Sequence, residues 1–367
     1  MFSSETWEKL TSNILIPILA IVSGLLVAAV FVLMAGTSPI EAYFEMFRTA
    51  FGCEAFSRCN LFTTLQLATP IILTGLSAVV AFRSGLFSLG QEGQLMLGGM
   101  AAAWIGFAVV LPPIILPLVA ILAAMIVGGI YGWFPGVLKV KLGVNEIIST
   151  IVLNTLAILF VTYLINFPLR ADASTSAHSP PILDAARLAP LAPGTKFSVG
   201  FLIAIAATIS VTIYLWRTAP GYEKRMSGEA PFFARFGGVD SDGAAIRGMF
   251  YSGTLAGLAG AIQTLGVHYR MLDGFSAGIG FDGLTAAILG QVHPIGTAVV
   301  AIFFAGLRQG AQVGLQFSAG VPRELGGAII ALIILFVAAD QFYRRNIDRL
   351  VAGYRRLRGL QAFEENL

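Results

Sequence analysis

The chain reads as an all-α polytopic membrane protein, and three observations predict it. Of its 367 residues, 56% are hydrophobic and only 12% are charged, against roughly 25% charged in an average soluble domain. The mean hydropathy is +0.81. The charges are also uneven, leaving long stretches without Asp, Glu, Lys or Arg, and about 20 apolar residues let a helix cross the hydrocarbon core. The same composition excludes other classes. Forty-one Gly and 27 Phe do not suit a disordered chain. A net charge of +3, scattered along the sequence, is too small for a nucleic-acid binder. Two Cys and three His are too few for a Cys-based zinc site.

About ten spans are expected, over residues 14–35, 63–82, 90–110, 114–134, 146–166, 198–216, 247–267, 283–292, 295–316 and 324–340. The uncharged run 94–138 holds two of them, with Pro112-Pro113 as the hinge. The segment 283–292 stops at His293-Pro294 and is too short to face lipid, so it is expected as a half-helix buried in protein. Residues 1–13 carry Glu5, Glu8 and Lys9 rather than a basic stretch, and no small-residue cleavage site follows closely. The first span is therefore expected to remain as an anchor.

Lys and Arg set the orientation. With ten spans and a cytoplasmic N-terminus, 15 basic residues fall inside and 8 outside, accounting for all 23. The Arg-rich tail 341–367 places the C-terminus inside. A transmembrane domain over 14–340 then carries outer loops at 37–60 and 168–196 and a cytoplasmic loop at 217–247. In the first outer loop, Pro39–Phe51 has the pattern of an amphipathic surface helix. Cys53 and Cys59 lie in the same loop. Outside the membrane is oxidising, so a disulfide is expected, the alternative being two free thiols.

The cytoplasmic loop is the most informative. Pro231 suits a first helical turn, Glu229 lies near its positive end, and Gly237 suits the position after the last turn. A helix of two turns is expected, with Phe232, Phe233 and Phe236 on one face beside Arg235. That face either lies back on the bilayer or beneath the spans, or it plugs into a groove of another protein.

Polar groups inside spans are costly and mark function or packing. Glu92, in the Gly-rich run Gly85–Gln94, is either a carboxylate at a helix N-terminus or a group on a solute path. Gln66, Gln94 and Asn154 are further path candidates, uncharged groups that also serve as helix–helix ties. Asp282 is expected to cap the half-helix or to meet substrate, and Asn145 to cap the fifth span. Gly253, Gly257 and Gly260 mark a close helix seam. No G-x-x-x-x-G-K-S/T, H-E-x-x-H or G-x-S-x-G motif occurs. Nor does a row of intramembrane carboxylates suggest a stand-alone proton-coupled transporter.

Several segments agree in order and spacing with one family. Phe82-Arg83-Ser84-Gly85-Leu86-Phe87-Ser88-Leu89-Gly90-Gln91-Glu92-Gly93-Gln94 resembles the F-R-x-G-x-x-N-I-G-x-E-G-Q signature of bacterial ABC-importer permeases for nucleosides and simple sugars, with Ser88-Leu89 replacing Asn-Ile. Gly143–Asn154 is similar to that family's V-N-E-x-x-x-T-I-M-L-N segment. Gly221–Val239 is similar to its G-x-N-x-x-A-A-R-Y-x-G-I loop, with Glu229 where Asn is common. Ser252–Gly260 and Gly280–Gly290 resemble its second half.

Ribose-type and branched-chain amino acid permeases are relatives, and the resemblance here is to the nucleoside group and to the larger of its two paired permeases. It implies two pseudo-symmetric halves and no enzymatic activity in this chain. The partners it implies are a second permease, a periplasmic or lipoprotein solute-binding protein, and a cytoplasmic ATPase that binds ATP and Mg. Glu229, Pro231, Phe232, Phe233, Arg235 and Phe236 would then be the coupling helix that meets the ATPase. No cofactor is implied for the chain itself.

Overall fold

The computed structural model describes residues 16–34, 36–53, 59–171, 177–315 and 323–338. The expected cytoplasmic N-terminus 1–13 and basic tail 341–367 lie outside these residues. Among the described residues the fold is helical with no β-strand, only isolated bridges such as His178 with Leu272. The helices are α1 (Ile16–Met34), α2 (Pro39–Phe51), α3 (Asn60–Arg83), α4 (Gln91–Ala108), α5 (Ile115–Leu142), α6 (Glu146–Asn166) and α7 (Gly200–Arg217). They continue as α8 (Ala219–Glu229), α9 (Pro231–Phe236), α10 (Ser241–Gln263), α11 (Ile279–Leu289), α12 (Pro294–Gln309) and α13 (Arg323–Ala338). Single π-helical turns extend α10 over Thr264–His268 and α12 over Gly310–Gly314.

A helix overlaps each of the ten segments expected as spans. By length and composition, five of them qualify as crossings among the described residues: α3, α5, α6, α7 and α12 with its π turn. A sixth is counted if α1 and α2, bent by 111° at their junction, form one broken span. The other helices fall short for visible reasons. α4 opens with Gln91, Glu92 and Gln94, α10 begins among charged residues, and α11 has only 11 residues.

The chain divides into two compact units, residues 1–49 with 307–367, and Ala50–Gly306. In the smaller unit α1 packs against α13. Tyr43 on α2 donates its hydroxyl hydrogen to the Leu25 carbonyl at 2.5 Å.

The larger unit is built around α10, which packs on α3, α4 and α5. Its seam with α5 is backbone on backbone. A Cβ at Gly253 would strike the Gly128 carbonyl, and one at Gly257 the Ala124 carbonyl. Gly260 meets the Leu95 carbonyl of α4 in the same way. The sequence row at 253, 257 and 260 is thus answered by Gly128 and Gly132 on α5, allowing the axes to approach more closely than any side chain permits. α3 is buried along most of its length. By contrast α5 exposes Leu118, Leu122, Ile126 and Ile130, and α7 exposes Leu202, Ile209 and Ile213. Rows of large apolar side chains at helical spacing, facing away from the protein, are suited to lipid.

Candidate functional site

The loop motif within residues 217–247 folds as two consecutive short helices, α8 and α9. Thr218 opens α8 and accepts the Gly221 N–H at 3.2 Å. Pro231 begins α9, as its fixed φ favours. The left-handed residue that ends α9 is Gly238 (φ 81°), one position later than expected, because Gly237 (φ −78°) still belongs to the closing turn. The Val239 N–H reaches back to the Ala234 carbonyl to close it. Ala234 is the buried underside of α9, while Phe232, Phe233 and Phe236 are 78%, 68% and 94% exposed. These rings do not fold back beneath the spans. The helix is braced at its far end, where Arg235 pairs with Asp242 at 2.6 Å, and just before it the last residue of α8, Glu229, pairs with Arg83 at 3.0 Å.

α8 itself carries an arrangement that the sequence does not reveal. Lys224 of α8 is 1% exposed. Its ammonium sits 5.0 Å and 4.8 Å from the ring centres of Tyr214 and Tyr251 and donates to the Tyr214 hydroxyl. Burial pushes it down from its ordinary 10.5 to about 8, with Arg247 lowering it further and Glu223 opposing. The aromatic faces offset part of the cost of burying the charge.

Glu92 stands in the first turn of α4 and is 4% exposed. Its carboxyl group holds the approach to α11. Oε1 accepts the Ser276 hydroxyl at 2.5 Å and the Gly278 N–H at 3.1 Å, and Oε2 accepts the Gly280 N–H at 2.6 Å. Gly278 is left-handed (φ 84°). A Cβ at Gly280 would come within 2.5 Å of the Glu92 nitrogen, so only glycine lets the two chains touch. One side chain thus satisfies free N–H groups entering α11 while sitting at the N-terminus of α4.

Asn154 joins the same region. Its Oδ1 accepts the Gly93 N–H at 2.8 Å and its Nδ2 donates to the Leu89 carbonyl at 2.6 Å, tying α6 to the start of α4. Gln94 is buried nearby, and its Oε1 has no hydrogen-bond partner among the described residues. Gln66 is half-buried on α3, eight residues before Thr74, which itself bonds to the Ile279 carbonyl at 3.2 Å. α11 begins at Ile279, so Asp282 lies inside its first turn rather than at the cap. The structure therefore gathers Glu92 and Asn154 at the start of α4 and leaves Gln66 apart from them along α3. Ser276, Gly278 and Gly280, the partners of Glu92, had no signal in the sequence beyond a Gly-x-Gly spacing.

Asn145 caps α6 by accepting the Ile147 N–H at 2.9 Å, and Glu146 pairs with Lys139 at 2.8 Å. Cys53 and Cys59 form a disulfide across residues 54–58. Among the described residues no three His, Cys, Asp or Glu side chains gather as a metal site.

The chain is 34% identical over 346 residues to the guanosine ABC transporter permease protein NupP of Bacillus subtilis, covering 93% of this chain and 98% of that protein. It is 33% identical to the nucleoside ABC transporter permease protein NupB of Lactococcus lactis, covering 89% and 91%. It is 31% identical to the glucose ABC transporter permease protein TsgB13 of Haloferax volcanii, covering 90% and 88%. The same two bacteria each hold a second, more distant match, NupQ and NupC, at 27% and 26% identity. No solved structure matches the chain. The family model described as branched-chain amino acid transport system / permease component matches residues 60–338, and the chain belongs to that family of membrane permeases.

Proposed function

We propose that this chain is the transmembrane permease subunit of an ATP-driven ABC importer, forming half of the path for a nucleoside across the bacterial inner membrane. The observation that carries the reading is α9, a braced two-turn helix with three Phe presented outward. A patch of that kind needs a partner surface, and an ATPase groove is the partner that an ABC permease meets. The names of NupP and NupB support a nucleoside as solute, and the pairing of each with a second permease in its organism supports a heterodimer. A simple sugar is the second reading, favoured by the likeness to TsgB13.

On this view the chain crosses the membrane ten times in two pseudo-symmetric halves, with both termini in the cytoplasm. A periplasmic or lipoprotein binding protein delivers solute to the outer face. Cys53–Cys59 lies on that face, where the compartment favours oxidation. ATP and Mg are bound by the separate ATPase, and the spans alternate between outward and inward access. Glu92, Asn154, Gln94, Gln66 and Asp282 remain the candidates for shaping the path. Glu92 and Asn154 serve it by fixing backbone, since their polar atoms are engaged.

The test is co-purification with the ATPase and binding by the cognate binding protein. Phe232→Asp with Phe236→Asp should abolish ATPase association, whereas retained association and transport would reject the coupling assignment. In a binding screen with guanosine, ribose and leucine, tight leucine binding without nucleoside binding would overturn the substrate class.

A further inference from the structure

Arg83, the last residue of α3, touches two places that the function above has not joined. Its Nη1 pairs with Glu229 at 3.0 Å, at the junction of α8 and α9. Its Nε donates to the Val292 carbonyl at 3.1 Å, in the reversal between α11 and α12. That reversal is strained. Gln291 and Val292 are consecutive left-handed residues (φ 56° and 52°), a conformation that costs a β-branched side chain most. The guanidinium also lies 5.5 Å from the Trp216 ring centre, and Trp216 packs against His293 at 4.8 Å between centroids. Around it the backbone is close-fitted. A Cβ at Gly228 would come within 2.6 Å of the Arg83 carbonyl, so the end of α8 lies directly on the end of α3.

We infer that Arg83 is a positioning residue that transmits displacement of the Phe helix to the turn between α11 and α12. The inference rests on α9 being the ATPase-coupling helix. α11 is held at both ends. Glu92 fixes its N-terminal approach, and Arg83 fixes the turn after its C-terminus. A pull on Glu229 by a moving ATPase is carried by one planar fork to the Val292 carbonyl. The strained pair is the element with a ready alternative, since either residue relieves its strain by leaving the left-handed region. Movement there tilts α11 against the anchor at Glu92. A fork is required because the two acceptors are met by different nitrogens of one rigid group, which a Lys ammonium does not reproduce.

The experiment is hydrogen exchange on the assembled transporter (this chain, its second permease and the ATPase), with and without ATP and vanadate. In the unaltered protein, nucleotide trapping should change exchange in α9 and change exchange over residues 288–293 by about tenfold, a typical coupling. In Arg83→Gln and Arg83→Lys the α9 response should persist while that of 288–293 falls below about twofold, a readout that a merely structural role would not separate. Should Arg83→Gln fail to assemble, Glu229→Ala removes the acceptor at the other end of the same link and carries the same expectation. An unaltered 288–293 response in both Arg83 variants, or no such response in the unaltered protein, overturns the inference. No response of α9 in the unaltered protein removes the coupling-helix reading itself, and the inference with it.

Discussion

Replacing Glu92 with Gln keeps the size of the side chain and changes one acceptor oxygen into a donor. In the native arrangement the two oxygens accept three hydrogens, from Ser276, Gly278 and Gly280. With the amide oxygen in the Oε1 position, the new NH2 group faces the Gly280 N–H, donor against donor. That loses one hydrogen bond worth about 1 kcal/mol and leaves a buried N–H unsatisfied at about 1–3 kcal/mol. The opposite rotamer also loses one bond, at the Gly278 N–H, since the Ser276 hydroxyl can turn to accept from the new NH2. The expected cost is therefore about 3 kcal/mol, or about a hundredfold in the local opening equilibrium. Amide exchange over residues 276–282 in the detergent-solubilised protein measures it directly, because opening of this segment frees those N–H groups. Protection should fall by about a hundredfold there and stay close to native in α5 and α7. Unchanged protection over 276–282, or an even loss across all helices, would refute the anchoring role of Glu92.

Lys224 gives a pH signature. Its folded value of about 8 lies below the ordinary 10.5, so the unfolded chain binds the proton more tightly. The penalty is fully present below about 8 and is relieved as the pH rises toward 10.5. Between pH 7 and pH 9.5 the native protein should gain roughly 2 kcal/mol relative to Lys224→Met, and parallel unfolding curves for the two would contradict the buried-ammonium account. Gly257→Val places a side chain against the Ala124 carbonyl and should lower stability by about 1–3 kcal/mol as overpacking, read as a fall in the thermal midpoint in detergent. Gly327, whose would-be Cβ meets nothing within 4 Å among the described residues, should tolerate Ala with little change. The same midpoint measurement checks both.

Much of the helical layout was legible because apolar runs report helices with little help from tertiary context. The Asn145 cap and the start of α9 at Pro231 were legible too, since both depend on neighbours within four residues. The glycine row on α10 announced a seam, but its partner α5 could be named only from the fold. What the sequence concealed lies at long range. Glu92 meets Ser276 across 184 residues, and Arg83 meets Glu229 and Val292 across 146 and 209. No local periodicity encodes such meetings. Lys224 was hidden for a different reason. In a loop rich in charge it reads as one more solvated cation, and only packing turns it inward against two Tyr rings. The crossing number stayed open because α4, α10 and α11 mix polar, glycine-rich and short segments whose placement is decided by neighbours rather than by their own hydropathy.

The glycine-lined contact of α5 with α10 also limits how this protein changes shape. Carbonyl oxygens lying in the space a methyl group would need leave no layer of side chains to slide or re-rotamerise. The pair has to travel as a solid beam, and α4, seated on the same helix through Gly260, travels with it. Any rearrangement that opens a passage is thereby pushed to the parts joined by polar side chains and turns. In this molecule that is the strained turn at Gln291 and Val292, since the half-helix before it is itself seated on α4 through Gly280.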